Sequence, residues 1–184
     1  DGLRILSFRI TERLSELFEG ELVLESDAKD GCLSVPLEDL VGYEVSVTVV
    51  LEGEEAERHF HGFVANATLK DHNLIRARVV PFAWLLTRSH DIRIFQNMSV
   101  PEIVKKVISD YGFDGDLVQR QTGTYQKRVY CTQYRESDYD FIARLLEDEG
   151  IYFFFEHEKG KHNMVLADSL QAHSPVPDFG SLPY

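Results

Sequence analysis

The chain has 184 residues, is 43% hydrophobic, and sets 31 acidic against 19 basic side chains for a net charge of −12. That length suffices for one domain or two small ones with real cores. So acidic a surface repels phosphate backbones and anionic lipid heads, so no nucleic-acid partner is expected. No apolar run approaches the roughly 20 residues that a membrane span needs, so no membrane insertion is expected either.

Asp1–Ile10 has no basic segment followed by a long apolar stretch, so no secretory signal is read there. Strand-like alternation or β-branched and aromatic enrichment marks Leu22–Leu24, Val45–Val49, Arg58–Val64 and Leu74–Val79. Turn-forming clusters separate them at Asp27–Gly31, Glu52–Glu55 and Lys70–Asn73. Several short strands with such turns predict an antiparallel barrel or sandwich. Glu12–Phe18 reads equally as a helical turn or as an irregular lead into a strand.

Beyond residue 92 the pattern changes. Ser99 suits a helix cap, Pro101 suits the first turn, and Glu102 stands where a capping-box carboxylate belongs. Val100, Ile103, Val104, Val107, Ile108 and Tyr111 then recur on one helical face, and Gly112 ends it. A second helix is predicted from Ser137, with Asp138 and Asp140 at its positive end, running to Gly150. Strands follow at Ile151–Glu156 and Asn163–Ala167. The expected architecture is α+β and mainly β: an antiparallel β-barrel over 1–92, a small α+β domain with two helices over 93–170, and a linker over 171–184.

Candidate chemistry is sparse. His59 and His61 lie two apart on a strand, so both imidazoles face one side and could share a metal. A third ligand is lacking unless Asp71 or His72 folds back, and the plainer reading is strand wall. Cys32 and Cys131 form neither a CxxC pair nor a disulfide framework, which suits two reduced thiols in a cytosolic protein. Cys131 lies in the alternating strand Val129–Tyr134, without the helix N-terminus or strained turn that would activate a thiol. Asp138, Asp140, Glu147, Asp148 and Glu149 offer carboxylates, but they sit at opposite ends of one helix, too far apart for an acid–base pair. Trp84 and the run Tyr152–Phe155 would serve a sugar site only if exposed in a groove; the apolar neighbours of Trp84 favour core. No phosphate loop, dinucleotide fingerprint or hydrolase motif occurs. No catalytic, cofactor-binding or metal residue is therefore assigned, and no cofactor is expected.

Several segments, in order, resemble one family. Ser7–Phe18, Leu40–Gly42 with Val45–Val49, and Phe60–Val64 lead to two longer landmarks, Val80–Gln96 and Tyr130–Ile151. Together they are similar to the N-terminal hub region of the VgrG and Rhs-associated spike family of type VI secretion. The resemblance covers about residues 3–169. It implies a hub like that of contractile phage tails: a homotrimer that supplies two barrels per chain, docks on a hexameric tube of Hcp subunits, joins other baseplate components and helps deliver effectors. It also implies assembly in the cytoplasm and export by the injection machine without a signal peptide. A second barrel, an OB-fold and a needle are not found in this sequence. The competing expectations are a cell-wall glycan hydrolase and a glycan-binding module.

Overall fold

Alternation along Glu19–Ser26 decides how the first sheet is built. In the computed structural model, which describes residues 2–27, 35–50 and 57–173, Leu22 and Leu24 are buried while Glu19 and Glu21 face outward. This strand, β2, belongs to a curled five-stranded antiparallel sheet with β1 (Leu3–Thr11), β3 (Glu44–Val50), β4 (Glu57–Asp71) and β5 (Leu74–Val80). The strand order is β1-β2-β5-β4-β3. The expected antiparallel barrel takes this form, and β1 and β3 do not pair with each other among the described residues. Two register shifts in β4, at Val64/Asn66 and Leu69/Asp71, bend the long strand round its core. The concave face buries Phe18, Leu22, Val47, Phe60, Ile75 and Ala77. The outer face carries cross-strand ion pairs, Arg76 with Glu21 and Arg78 with Glu19.

The predicted turn at Lys70–Asn73 closes the β4–β5 hairpin. Most of the other two predicted turns, and Cys32, lie outside the described residues. Glu12–Phe18 is an irregular connection, not a helix. Ser15 adopts a left-handed φ of 59° there, and its N–H donates to the carbonyl of Phe153 at 2.8 Å.

The second half forms around β6 (His90–Met98), α1 (Val100–Ser109), β7 (Leu117–Gln119), β8 (Arg128–Ser137), α2 (Asp138–Asp148), β9 (Tyr152–Glu158) and β10 (Lys161–Ala167). β6 pairs with β8 as an antiparallel ribbon, and β10 lies between β9, antiparallel, and β7, parallel. Three residues are too few to show a period, so β7 leaves no sequence signal. A 3-10 segment, Phe82–Arg88, delivers Phe82, Ala83 and Leu86 into a core shared with α1 and α2. Ile103, Val107, Phe141 and Leu145 are wholly buried there. Each contributes about 1.5–3 kcal/mol through loss of apolar surface from water.

Both helices begin and end as their sequences specify. Ser137 caps α2 by accepting the Asp140 N–H at 3.0 Å. At α1, Glu102 accepts from the N–H and hydroxyl of Ser99 at 2.7 and 3.0 Å. Those bonds, the backbone one foremost, hold the Glu102 carboxyl below its ordinary range. Each helix stops at a glycine with positive φ, Gly112 at 83° and Gly150 at 69°. In both, the residue after the glycine donates back to the helix: Phe113 to Ile108 at 3.4 Å and Ile151 to Leu146 at 2.8 Å. Ser99→Ala is expected to lower stability by about 1 kcal/mol, read as a lower urea midpoint with an unchanged slope. An unchanged midpoint would remove the cap from the account of this helix.

Candidate functional site

The two histidines singled out in the sequence part company. His59 Nδ1 lies 3.0 Å from the hydroxyl of Thr48, its neighbour on β3. His61 turns inward instead and meets His162 of β10, with their Nδ1 atoms 2.8 Å apart. A third ring, His157 of β9, accepts the backbone N–H of His61 at Nδ1, 3.0 Å away. Asp71 and His72, at the hairpin tip, are exposed and do not approach them. The short turn Lys159–Gly160 places His157 opposite His162, so one hairpin brings both rings to His61. That hairpin is legible in sequence; its meeting with β4, a hundred residues earlier, is not.

Hydrogen-bond direction fixes the tautomers. The backbone N–H of Phe82 can only donate, so His162 Nε2, at 3.0 Å, accepts and bears no hydrogen. A neutral imidazole has one N–H, so His162 carries it on Nδ1 and donates to His61 Nδ1. His61 then keeps its hydrogen on Nε2, which is buried and has no hydrogen-bond partner. That N–H faces a cavity of about 60 Å³ bordered by Glu44 and Asp116, with the Glu44 carboxylate 3.9 Å away. By the same logic His157 Nε2 donates to Glu12 at 3.0 Å. Burial pushes His162 down to about 3 and lowers His61, the latter against the pull of Glu44. Every ring nitrogen but one is thus engaged, and the exception is a donor. A metal requires converging lone pairs, and no group of three His, Cys, Asp or Glu suited to an ion occurs among the described residues.

The acidic residues of α2 are likewise tied up. Asp138 is buried and accepts from Arg93 at 2.6 Å, Gln133 at 2.7 Å and the Tyr111 hydroxyl at 2.7 Å. Arg93 also reaches Asp91 and Asp110, so one guanidinium joins β6, the end of α1 and the start of α2. Asp140 receives the Ser137 hydroxyl at 2.6 Å. At the other end, Arg128 holds Asp148 and Glu149, at 2.5 and 2.8 Å. Glu147 lies there too, on the last turn of the helix. The helix separates the two groups, as its rise dictates.

Cys131 is buried in the core opposite Phe95. Trp84 is only partly buried, and the guanidinium groups of Arg88 and Arg78 lie over its ring at 5.5 and 6.0 Å. Phe153 points into the core, whereas Tyr152 and Phe154 stack on His173 at 5.6 and 4.6 Å between centroids. No open aromatic groove results from these residues. What the surface does offer is apolar: Ile92, Ile94, Tyr130 and Tyr134 stand exposed on the outer face of the β6–β8 ribbon, with Ile92 opposite Tyr134.

The acids are thus ion-paired, the histidines form an internal chain, and the β6–β8 ribbon presents apolar side chains outward. The sequence profile of the phage tail baseplate hub (GPD) family matches residues 11–184. The chain belongs to that family. Among curated relatives of this baseplate hub chain, the type VI secretion system spike protein VgrG1a of Pseudomonas aeruginosa is 43% identical over 177 residues, covering 94% of this chain and 27% of its own length. VgrG1b of the same organism is 41% identical over 190 residues, covering 100% and 25%. The chain thus spans about a quarter of the curated relatives it matches. Among solved structures, the E. coli c3393 protein superposes with a TM-score of 0.74 at 25% identity, covering 93% of this chain and 50% of that one. It is described as a component of the type VI secretion system with structural similarity to the T4 bacteriophage tail proteins gp27 and gp5. A chain of the Francisella PdpA–VgrG complex shares the fold, with a TM-score of 0.56 at 12% identity over 90% of this chain and 27% of that one.

Proposed function

We propose that this chain is the N-terminal hub portion of a type VI secretion spike, a structural part without a catalytic residue, resident metal or cofactor. The family match across 11–184, joined to VgrG relatives above 40% identity, carries this reading. In the proposed assembly the full-length protein is a homotrimer. It caps a hexameric Hcp tube, contacts other baseplate components and bears effectors toward target cells. It assembles in the cytoplasm and leaves with the machine, needing no signal peptide. No helix among the described residues is long and apolar enough to cross a membrane.

The proposed division places the first hub unit at 1–92, the α+β unit at 93–170 and a connection at 171–184. Two buried clusters, one in the curled sheet and one round the helices, support two units. One relative of 35% identity, the actin cross-linking toxin VgrG1 of Vibrio cholerae, covers only 11% of its length with the matched segment. Any toxin activity would accordingly belong to regions other than this one. The glycan-hydrolase and glycan-binding readings find no support in acids held by Arg93 and Arg128 or in a tryptophan overlaid by two arginines.

The test is deletion of this segment from its parent gene in a secreting bacterium. Release of tube subunits into the medium should cease while their cellular level is unchanged. Undiminished release would overturn the structural role.

A further inference from the structure

We propose that His61, His157 and His162 form an acid-sensitive latch between the curled sheet and the α+β unit, in which uptake of one proton breaks the hydrogen-bond chain joining them. The chain runs from Phe82 N–H through His162 to His61, and from the His61 backbone through His157 to Glu12. It therefore binds β4 to β9, to β10 and to the 3-10 segment at once.

No ring can accept a proton without loss. On His162 the only vacant position is Nε2, at which the Phe82 N–H already points from 3.0 Å. On His61 the vacant position is Nδ1, which faces the His162 Nδ1–H at 2.8 Å. Shifting the hydrogen of His162 to its other nitrogen merely moves the conflict to Phe82. On His157 the vacant position is Nδ1, opposite the His61 N–H at 3.0 Å. In each case two donors confront each other across a contact of hydrogen-bond length, inside a site where an unmet polar group is costly.

The surrounding charges do not rescue the protonated form. Glu44 on β3, Asp116 beside β7 and Glu12 after β1 favour charge on the cluster. Against them stand Lys161, 3.5 Å from Asp116, and Arg58, 3.9 Å from Glu12. The ring of His162 is enclosed by Phe18, Phe63, Phe82 and Phe155, with centroids 5.4–6.1 Å away. Desolvation prevails there, and His162 is pushed down to about 3 from 6.5. A base depressed in the closed state binds more protons when open. Closure is therefore complete above about pH 6.5 and is lost as pH falls from there toward 3. One such histidine raises the open-to-closed ratio on the order of 100-fold between pH 7.5 and 4.5.

Amide hydrogen exchange followed by NMR on the 184-residue chain tests this. After correction for intrinsic rates, the His61 and Phe82 amides should lose protection by on the order of 100-fold at pH 4.5, while Val107 in α1 keeps its own. His162→Gln, which retains an acceptor for Phe82 and removes one titrating ring, should flatten that loss at Phe82. Imidazole nitrogen shifts at pH 7.5 should show hydrogen on Nδ1 of His162 and on Nε2 of His61, a readout that needs no variant. Unchanged protection at both amides, a fall shared equally by Val107, or the opposite tautomers would each overturn the latch.

Discussion

Replacing Asp138 by alanine should destabilise the protein by about 3 kcal/mol, at the low end for breaking a buried ion pair. The carboxylate is almost wholly enclosed and accepts three hydrogen bonds, from Arg93, Gln133 and Tyr111. Without it, the Gln133 amide and the Tyr111 hydroxyl lose an acceptor in a buried site, and the Arg93 guanidinium loses its closest carboxylate. Arg93 keeps Asp91 and Asp110, each 3.2 Å away, which limits the damage. Asp140, two residues on, provides the control. It is exposed and engages only the capping serine, so Asp140→Ala should cost about 1 kcal/mol or less. In thermal unfolding the loss of about 3 kcal/mol corresponds to a midpoint lower by roughly 6–12 °C for Asp138→Ala, at roughly 2–4 °C per kcal/mol for a chain of this size. Equal, small shifts in both variants would show that the buried network adds nothing to stability.

Gly62→Ala should prove costly for a different reason. Gly62 lies in β4 with ordinary strand geometry, so conformational freedom is not at issue. Space is. An added Cβ would stand 2.7 Å from Val79 Cγ1, 2.8 Å from the Val80 carbonyl oxygen and 3.3 Å from the Phe18 ring. A side chain can rotate away, but the carbonyl belongs to the paired strand β5, so the two strands must separate. Overpacking of this kind costs about 1–3 kcal/mol, and a backbone obstacle places this variant at the upper end. At Gly115 an added Cβ meets nothing within 4 Å, so Gly115→Ala should change stability by about 0.5 kcal/mol or less. Chemical denaturation of the two variants beside the parent decides the matter, and a Gly62→Ala protein as stable as the parent would refute the close approach.

Local chemistry made much of this fold legible. Ser99 with Glu102, Ser137 with the acids after it, and Gly112 and Gly150 act within one or two turns of chain, so their roles follow from spacing. Alternation in β2 and β5 likewise foretells which side chains face the core. The irregular Glu12–Phe18 stretch could not be resolved because its conformation depends on Phe153, whose carbonyl holds Ser15. Trp84 was expected as core from its apolar neighbours, yet Leu85 beside it is exposed and two arginines cover the indole. A 3-10 segment has three residues per turn, so its buried face cannot be read from an α-helical period. His61 stands out in the sequence only as one of two imidazoles on a strand face, and the plainer reading there is strand wall. His59 is its neighbour in sequence, while its true partners arrive on the β9–β10 hairpin.

That long reach bears on the order in which the molecule can form. β1 with β2 and β4 with β5 are hairpin partners that need little chain between them. The surface they present at Phe18, Phe60 and His61 is covered only when Phe155, His157 and His162 arrive. β7 must wait similarly, since its parallel partner β10 begins some forty residues later. During synthesis at about 5–20 residues per second, the sheet therefore stands for several seconds with aromatic surface exposed and nothing yet made to cover it. Contacts so distant in sequence slow folding, because the entropy of closing the loop is lost before the contact is gained. The joint between the curled sheet and the β9–β10 hairpin is consequently among the last parts of this region to become native on the ribosome, and the interval before it closes is when a chaperone would find something to hold.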